Sequence, residues 1–297
     1  MTRSQDIALT ALAPIIWGSS YIVSTETLPG FDPLLVSVLR ALPAGLFLML
    51  LTRTLPPRAW IGRVFVLGAL NFAIFWGALF VAAYRLPGGV AATLGAVQPL
   101  IVLVLAYALL NSELRWQSVM ASLAGLGGVA LLILSPNAEL DGVGIIAALV
   151  GAASMALGTV LSRKWQPPVP PLTFAGWQLT AGGLLLVPVV FATTSTVPHV
   201  DVTAIAGLIW LGLVGAALTY VLFFRGLAKL GPASVSVLGF LSPLSAVVLG
   251  WVILGQGLSL AQSLGAVIIV ASVWAAQRAA RPVASPAFDQ TAKSNAA

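Results

Sequence analysis

The sequence predicts an all-α integral membrane protein: ten transmembrane helices in two five-helix inverted repeats, with both termini cytoplasmic. Three observations predict it. Hydrophobic residues make up 59% of the 297, charged residues only 7%, and the mean hydropathy is +1.04, more apolar surface than a soluble domain can bury. That apolar content falls into ten runs, each near the roughly 20 residues needed to cross about 30 Å of hydrocarbon. Finally, Thr93-Leu-Gly-Ala-Val-Gln-Pro-Leu100 returns as Val237-Leu-Gly-Phe-Leu-Ser-Pro-Leu244, which matches Gly95 and Pro99 with Gly239 and Pro243 at an offset of 144.

The runs are 8–28, 33–52, 64–84, 89–110, 117–135, 142–162, 172–192, 203–223, 232–254 and 260–277. The first is too long for a signal-peptide core and is followed closely by more spans, so it reads as a retained helix. Leu28-Pro-Gly-Phe-Asp-Pro33 ends it and opens the second. Leu55-Pro-Pro-Arg58 and Leu86-Pro-Gly-Gly89 bracket the third, and Ser135-Pro-Asn137 closes the fifth. Gln166-Pro-Pro-Val-Pro-Pro171 separates the sixth from the seventh, and Gly231-Pro232 opens the ninth. Such Pro- and Gly-bearing stretches are chain breakers. The Pro-, Ala- and Ser-rich tail, 281–297, reads as disordered.

Basic residues on short loops stay on the cytoplasmic side. With the N terminus inside, the inner segments hold Arg3; Arg53, Arg58 and Arg63; Arg115; Arg163 and Lys164; Arg225 and Lys229; and Arg278, Arg281 and Lys293. Of the 14 Lys and Arg, this leaves only Arg85 outside and Arg40 within a span. Glu26, Asp32, Glu139, Asp141 and Asp201 all fall outside. The net charge of +6 is therefore a topological signal rather than a nucleic-acid patch.

The offset of 144 also aligns Trp76 with Tyr220 and Arg85 with Lys229; an offset of 138 aligns Pro33 with Pro171, Arg40 with Gln178 and Gly45 with Gly183. The halves are 8–135 and 142–277. An odd number of helices in each makes the second enter the membrane from the opposite face. Inverted repeats of this kind are characteristic of transporters whose halves rock about a midplane site. Gly95/Pro99 and Gly239/Pro243 are the expected hinges, since each proline lacks the N–H that would pair with the glycine carbonyl four residues back. A static kink that only widens a cavity is the plainer reading.

Ala13-Pro-Ile-Ile-Trp-Gly-Ser-Ser-Tyr21 and Leu109-Leu-Asn-Ser-Glu-Leu-Arg115 resemble the entry motif and acidic loop of the drug/metabolite transporter superfamily, EamA type. The resemblance covers about 270 residues, including the tandem halves and the proline-bearing fourth and ninth helices. Within the superfamily the chain is most similar to bacterial amino-acid exporters of the YddG kind, which implies aromatic and other neutral amino acids as substrates and the cell inner membrane as location. One departure is that Gly257 stands where Glu113 stands in the first copy.

Polar groups in the hydrocarbon are costly and are kept where they face a cavity or each other. Asn71, Gln98 and Gln178 supply amides that can meet both a carboxylate and an ammonium, or equally bond a neighbouring helix. Trp17, Trp76, Trp177 and Tyr220 could wall an apolar substrate group, although aromatics in bundles more often pack or face lipid. Arg40 is either a structural partner of Glu26 or Asp32, the preferred reading, or an attractor of substrate carboxylate.

Absences narrow the class. With no cysteine and a single histidine, His199, no metal site or cofactor is expected. No Asp or Glu lies mid-span, and no phosphate-binding loop is present. A non-enzymatic facilitator or exchanger of small molecules follows, with proton coupling through Glu26 or Glu113 and export of drugs as the alternative. A membrane-embedded enzyme lacks any convincing nucleophile or carboxylate pair. Ala121-x-x-x-Gly125 and Ala261-x-x-x-Gly265 permit close helix approach, either in a homodimer or within one chain.

Overall fold

The computed structural model describes residues 2–86, 88–133, 141–194 and 198–280. Glu139 and the tail expected to be disordered lie outside these described residues. Among the described residues, ten helices are long and apolar enough to cross a membrane. They are α1 (Arg3–Thr27), α2 (Pro33–Thr52), α3 (Arg58–Gly68, Ala69–Ala73 and Ile74–Arg85), α4 (Gly88–Gly95 and Gln98–Leu110) and α5 (Trp116–Ile133). The second half supplies α6 (Gly142–Lys164), α7 (Pro171–Thr193), α8 (Val202–Ile209, Trp210–Leu218 and Thr219–Leu230), α9 (Pro232–Leu238 and Leu241–Leu254) and α10 (Leu260–Ala279).

Several helices outrun their apolar runs. α1 begins at Arg3 rather than 8, capped by Thr2 and Gln5 in a reciprocal box. α3 begins at Arg58, directly after Pro57, and α8 continues through Arg225 and Lys229 to Leu230. Hydropathy marks only the part of a helix that hydrocarbon would cover; charged end turns extend it into water. Asp32, Asp141 and Asp201 cap α2, α6 and α8 by accepting backbone N–H bonds of 2.7–3.0 Å, which satisfies donors a helix start leaves open.

Lipid tails are as apolar as leucine, so helix association depends on close packing of small residues. α2 lies along α7, where Gly176, Thr180 and Gly183 meet Leu48, Gly45 and Leu42 in turn, so the two run antiparallel. A Cβ on Gly45 would sit 2.4 Å from the Thr180 nitrogen, and one on Gly183 would sit 2.8 Å from the Leu42 Cβ. These two contacts exchange under the offset of 138. Likewise α1 packs antiparallel on α8 through Thr10/Gly226 and Thr27/Gly207, and α3 on α6 through Asn71/Gly158 and Arg85/Gly144. α5 pairs with α10, where a Cβ on Gly265 would lie 2.6 Å from the Gly128 carbonyl, and Gly125 is filled by the Phe240 ring. Gly125, Gly128 and Gly265 thus pack inside one chain, while Ala261 stays exposed.

α4 and α9 are each interrupted, by a turn after Gly95 and a turn after Leu238. The breaks fall at the matched glycines and prolines. In α9 the Gly239 carbonyl is taken up by the Ser242 N–H at 3.0 Å. α3 and α8 also match in a way the sequence does not announce: π-helical segments occupy Ala69–Ala73 and Trp210–Leu218. Segments of this kind are rare and frequent at functional sites.

Candidate functional site

Four of the predicted residues converge where α1, α2, α3 and α8 meet. The π-helical turn of α8 presents the Gly215 carbonyl, which accepts from Arg40 Nη2 of α2 at 2.9 Å and from Thr219 Oγ1 at 2.8 Å. Thr219 Oγ1 in turn accepts from Trp17 Nε1 at 2.9 Å. The Arg40 guanidinium carbon lies 5.1 Å from the centroid of the Trp76 ring, within cation–π range. Phe72 stands edge-on to both Trp76 and Tyr220, at 5.3 and 4.6 Å, and Trp17 lies 5.1 Å from Tyr220. Trp17, Thr219, Gly215, Arg40, Trp76, Phe72 and Tyr220 therefore form a closed ring of contacts. Trp76 and Tyr220 are buried, whereas Trp17 and Arg40 are half-buried.

The expected ion pair of Arg40 with Glu26 or Asp32 is absent. Asp32 spends its carboxylate on the Leu34 and Leu35 N–H groups, and Glu26 sits exposed in the last turn of α1. Among the described residues no carboxylate lies within 4.0 Å of Arg40, and its Nε has no partner.

Asn71 and Gln178 are brought together, but with each other. Asn71 Nδ2 donates to Gln178 Oε1 at 2.8 Å and to Ser162 Oγ at 3.1 Å, and both amides are fully buried between α3, α6 and α7. These bonds run between helices, while Asn71 Oδ1 and Gln178 Nε2 have no partner. Trp177 is 2% exposed and donates to the Thr54 carbonyl at 2.7 Å, which ties α7 to the chain leaving α2. Gln98 opens the second limb of α4, half-buried just after the break.

The two polar clusters are counterparts. The offset of 138 carries Arg40 to Gln178, and that of 144 carries Asn71 to Gly215. Each half thus sets a polar residue of its second helix against the π-helical turn of the other half's third helix. Sequence reasoning missed Phe72, Thr219 and Gly215. The offset from Asn71 to Gly215 was the available signal for the last. Gly18 of the entry motif also has a place: a Cβ there would lie 2.6 Å from the Ser242 carbonyl, beside the Ser245 Oγ bond to the Ile15 carbonyl at 2.8 Å. Its lack of a side chain lets the break of α9 seat on α1.

The two ends of the molecule differ. Arg3 Nη2 donates to the Gln277 carbonyl at 2.7 Å, so the start of α1 and the end of α10 lie at one end. There Arg225 pairs with Asp6 at 2.5 Å and Arg163 donates to the Ala228 carbonyl at 2.7 Å. At the other end Arg85 and Asp141 approach only to 3.7 Å and remain half-exposed.

Two segments, 6–134 and 142–276, match the model of the EamA-like transporter family. The chain is 46% identical over 263 residues to Protein PecM of Dickeya dadantii (strain 3937), a match that covers 88% of each. It is 28% identical over 268 residues to the uncharacterized inner membrane transporter YedA of Escherichia coli (strain K12), covering 87% of this chain and 86% of YedA. A solved crystal structure shares the fold with a TM-score of 0.78 at 21% identity, over 94% of this chain and 99% of the other.

Proposed function

The chain belongs to the EamA-like transporter family, and from that premise we propose that it exports neutral or aromatic amino acids, or related small metabolites, by alternating access. The observation that carries the reading is the ring of Arg40, Trp17, Trp76 and Tyr220: a half-buried cation without a carboxylate beside an aromatic wall. A carboxylated solute would meet the guanidinium, and its apolar group would lie against the rings. Gln98, at the break of α4, is the remaining amide available to it.

The two matched segments act as the moving halves. Their inversion is supported by the antiparallel α2 and α7, whose glycine contacts exchange under the offset. The breaks at Gly95/Pro99 and Gly239/Pro243 are the points where α4 and α9 flex. The basic loops put both termini in the cytoplasm, and the inner membrane is the proposed location. With no carboxylate among the described residues of the site, facilitated diffusion or exchange is the energetic class.

Counterflow of labelled amino acids into proteoliposomes, with and without a pH gradient, tests this. Saturable exchange indifferent to the gradient is expected. Accumulation driven by the gradient would replace the facilitator with a proton-coupled exporter, and no exchange of any amino acid would pass the substrate to other metabolites or drugs.

A further inference from the structure

Every acidic side chain among the described residues is accounted for away from the site. Asp32, Asp141 and Asp201 cap helices, Asp6 pairs with Arg225, Glu113 with Arg115, and Glu26 lies exposed at an end of α1. Arg40 is therefore an isolated positive charge in the part of the bundle that lipid surrounds. Its Nη2 meets a carbonyl dipole, its face meets Trp76, and its Nε is unsatisfied. Dipoles and ring quadrupoles soften such a charge without cancelling it.

We infer that the solute best matched to this site is a net monoanion bearing a flat aromatic group, an aryl carboxylate, in preference to a zwitterionic amino acid. The inference rests on the reading of the Arg40 ring as the substrate site. A monoanion leaves the loaded site neutral, so the guanidinium loses its uncompensated charge at the step where the site closes away from water. A zwitterion brings an ammonium along with its carboxylate and leaves the loaded site as positive as the empty one. The ammonium meets carbonyls, hydroxyls and ring faces but no carboxylate among the described residues of the site, and it is repelled by the guanidinium that holds its own carboxylate. Trp17, Phe72, Trp76 and Tyr220 are in direct ring contact at centroid separations of 4.6–5.3 Å, so a flat group would stack against this cluster rather than between its members.

Binding calorimetry on the full chain in lipid nanodiscs, with 3-phenylpropionate, phenylalanine and phenethylamine as probes, separates the classes without dependence on passive leakage of the acid. The expected order is phenylpropionate at least tenfold tighter than phenylalanine, and no binding of phenethylamine. Arg40→Gln should abolish the preference for the acid while Arg40→Lys, which keeps the charge, retains a weakened version of it. Because the ranking is measured on the unaltered protein, a failure of either variant to fold does not decide it. Phenylalanine binding as tightly as phenylpropionate would overturn the inference and leave the amino-acid reading standing. Saturable binding unchanged in the Arg40→Gln protein would remove Arg40 from the site and overturn both. Binding of none of the three probes would overturn the inference as well.

Discussion

The last limb of α8 with the first limb of α9, residues 219–238, and the last limb of α3 with the first limb of α4, residues 75–94, occupy equivalent places in the two halves but pack differently. In the former, Thr219, Tyr220, Phe223, Phe224, Gly226, Leu227 and Leu230 are buried, followed by Pro232 and Ser234–Leu238. Among the described residues of the latter, the buried ones are Trp76, Ala82, Leu86, Val90 and Ala91. The contrast continues in the charges, since Asp6–Arg225 is short and mostly buried while Arg85–Asp141 is longer and half in water. One architecture is thus present in two packings, tighter at the end where α1 begins and α10 finishes and looser at the other. If the proposed alternating access holds, this asymmetry is that of one shut gate, and the cycle would exchange the two packings.

The largest expected effect comes from opening the tighter end. Arg225→Ala leaves Asp6, whose side chain is only 13% exposed, without its cation, a loss of about 3 kcal/mol for a buried pair. The chain contains no cysteine, so a single Ser234→Cys, 3% exposed in this packing, reports the change. Maleimide labelling should be slow in the parent and at least tenfold faster with Arg225→Ala. Equal labelling would mean that apolar packing alone holds this end. Next is Asn71→Ala in the buried amide cluster, which leaves Gln178 Oε1 only the 3.3 Å bond from Ser162 Oγ, at a cost of about 1–3 kcal/mol. Thermal unfolding should fall by several degrees with the half-saturation concentration unchanged; a selective loss of substrate affinity would return Asn71 to the site.

That pair of outcomes bears on how far the sequence could be read. The ten spans were legible because hydropathy over 20 residues is a strong signal, and the breaks because proline and glycine act on their own backbone. Trp17, Arg40, Trp76 and Tyr220 could be named because polar and aromatic groups within spans are few enough to rank. Which of them meet depends on the rotation of each helix about its axis. Asn71 and Gln178 therefore carried the same composition signal as Arg40 yet close on one another. The π-helical segments at Ala69–Ala73 and Trp210–Leu218 have no residue signature. They shift the phase of α3 and α8, and so decide that Gly215 offers Arg40 its carbonyl.

A smaller effect is expected at the hinge. Pro243→Ala restores an N–H to α9, although the Gly239 carbonyl is already taken by Ser242, so the helix should straighten only in part. If bending limits the cycle, turnover drops a few-fold while substrate binding holds. Equal loss in both, measured by counterflow and calorimetry, would make the break a static kink.

The smallest effect belongs to the loose end, and its smallness is the test. Arg85 and Asp141 are 50% and 40% exposed, so the pair contributes under about 1 kcal/mol, and Asp141 keeps its cap on Gly144 without it. Arg85→Gln should therefore leave unfolding temperature unchanged. If the pair tightens when the molecule turns over, as Asp6–Arg225 is tight now, the same variant should slow exchange by favouring the present packing, and Ser234→Cys should stay protected during turnover. A fall in unfolding temperature with exchange unaltered would instead make Arg85 a static brace between α3 and α6, and the likeness of the two ion pairs would be one of position alone.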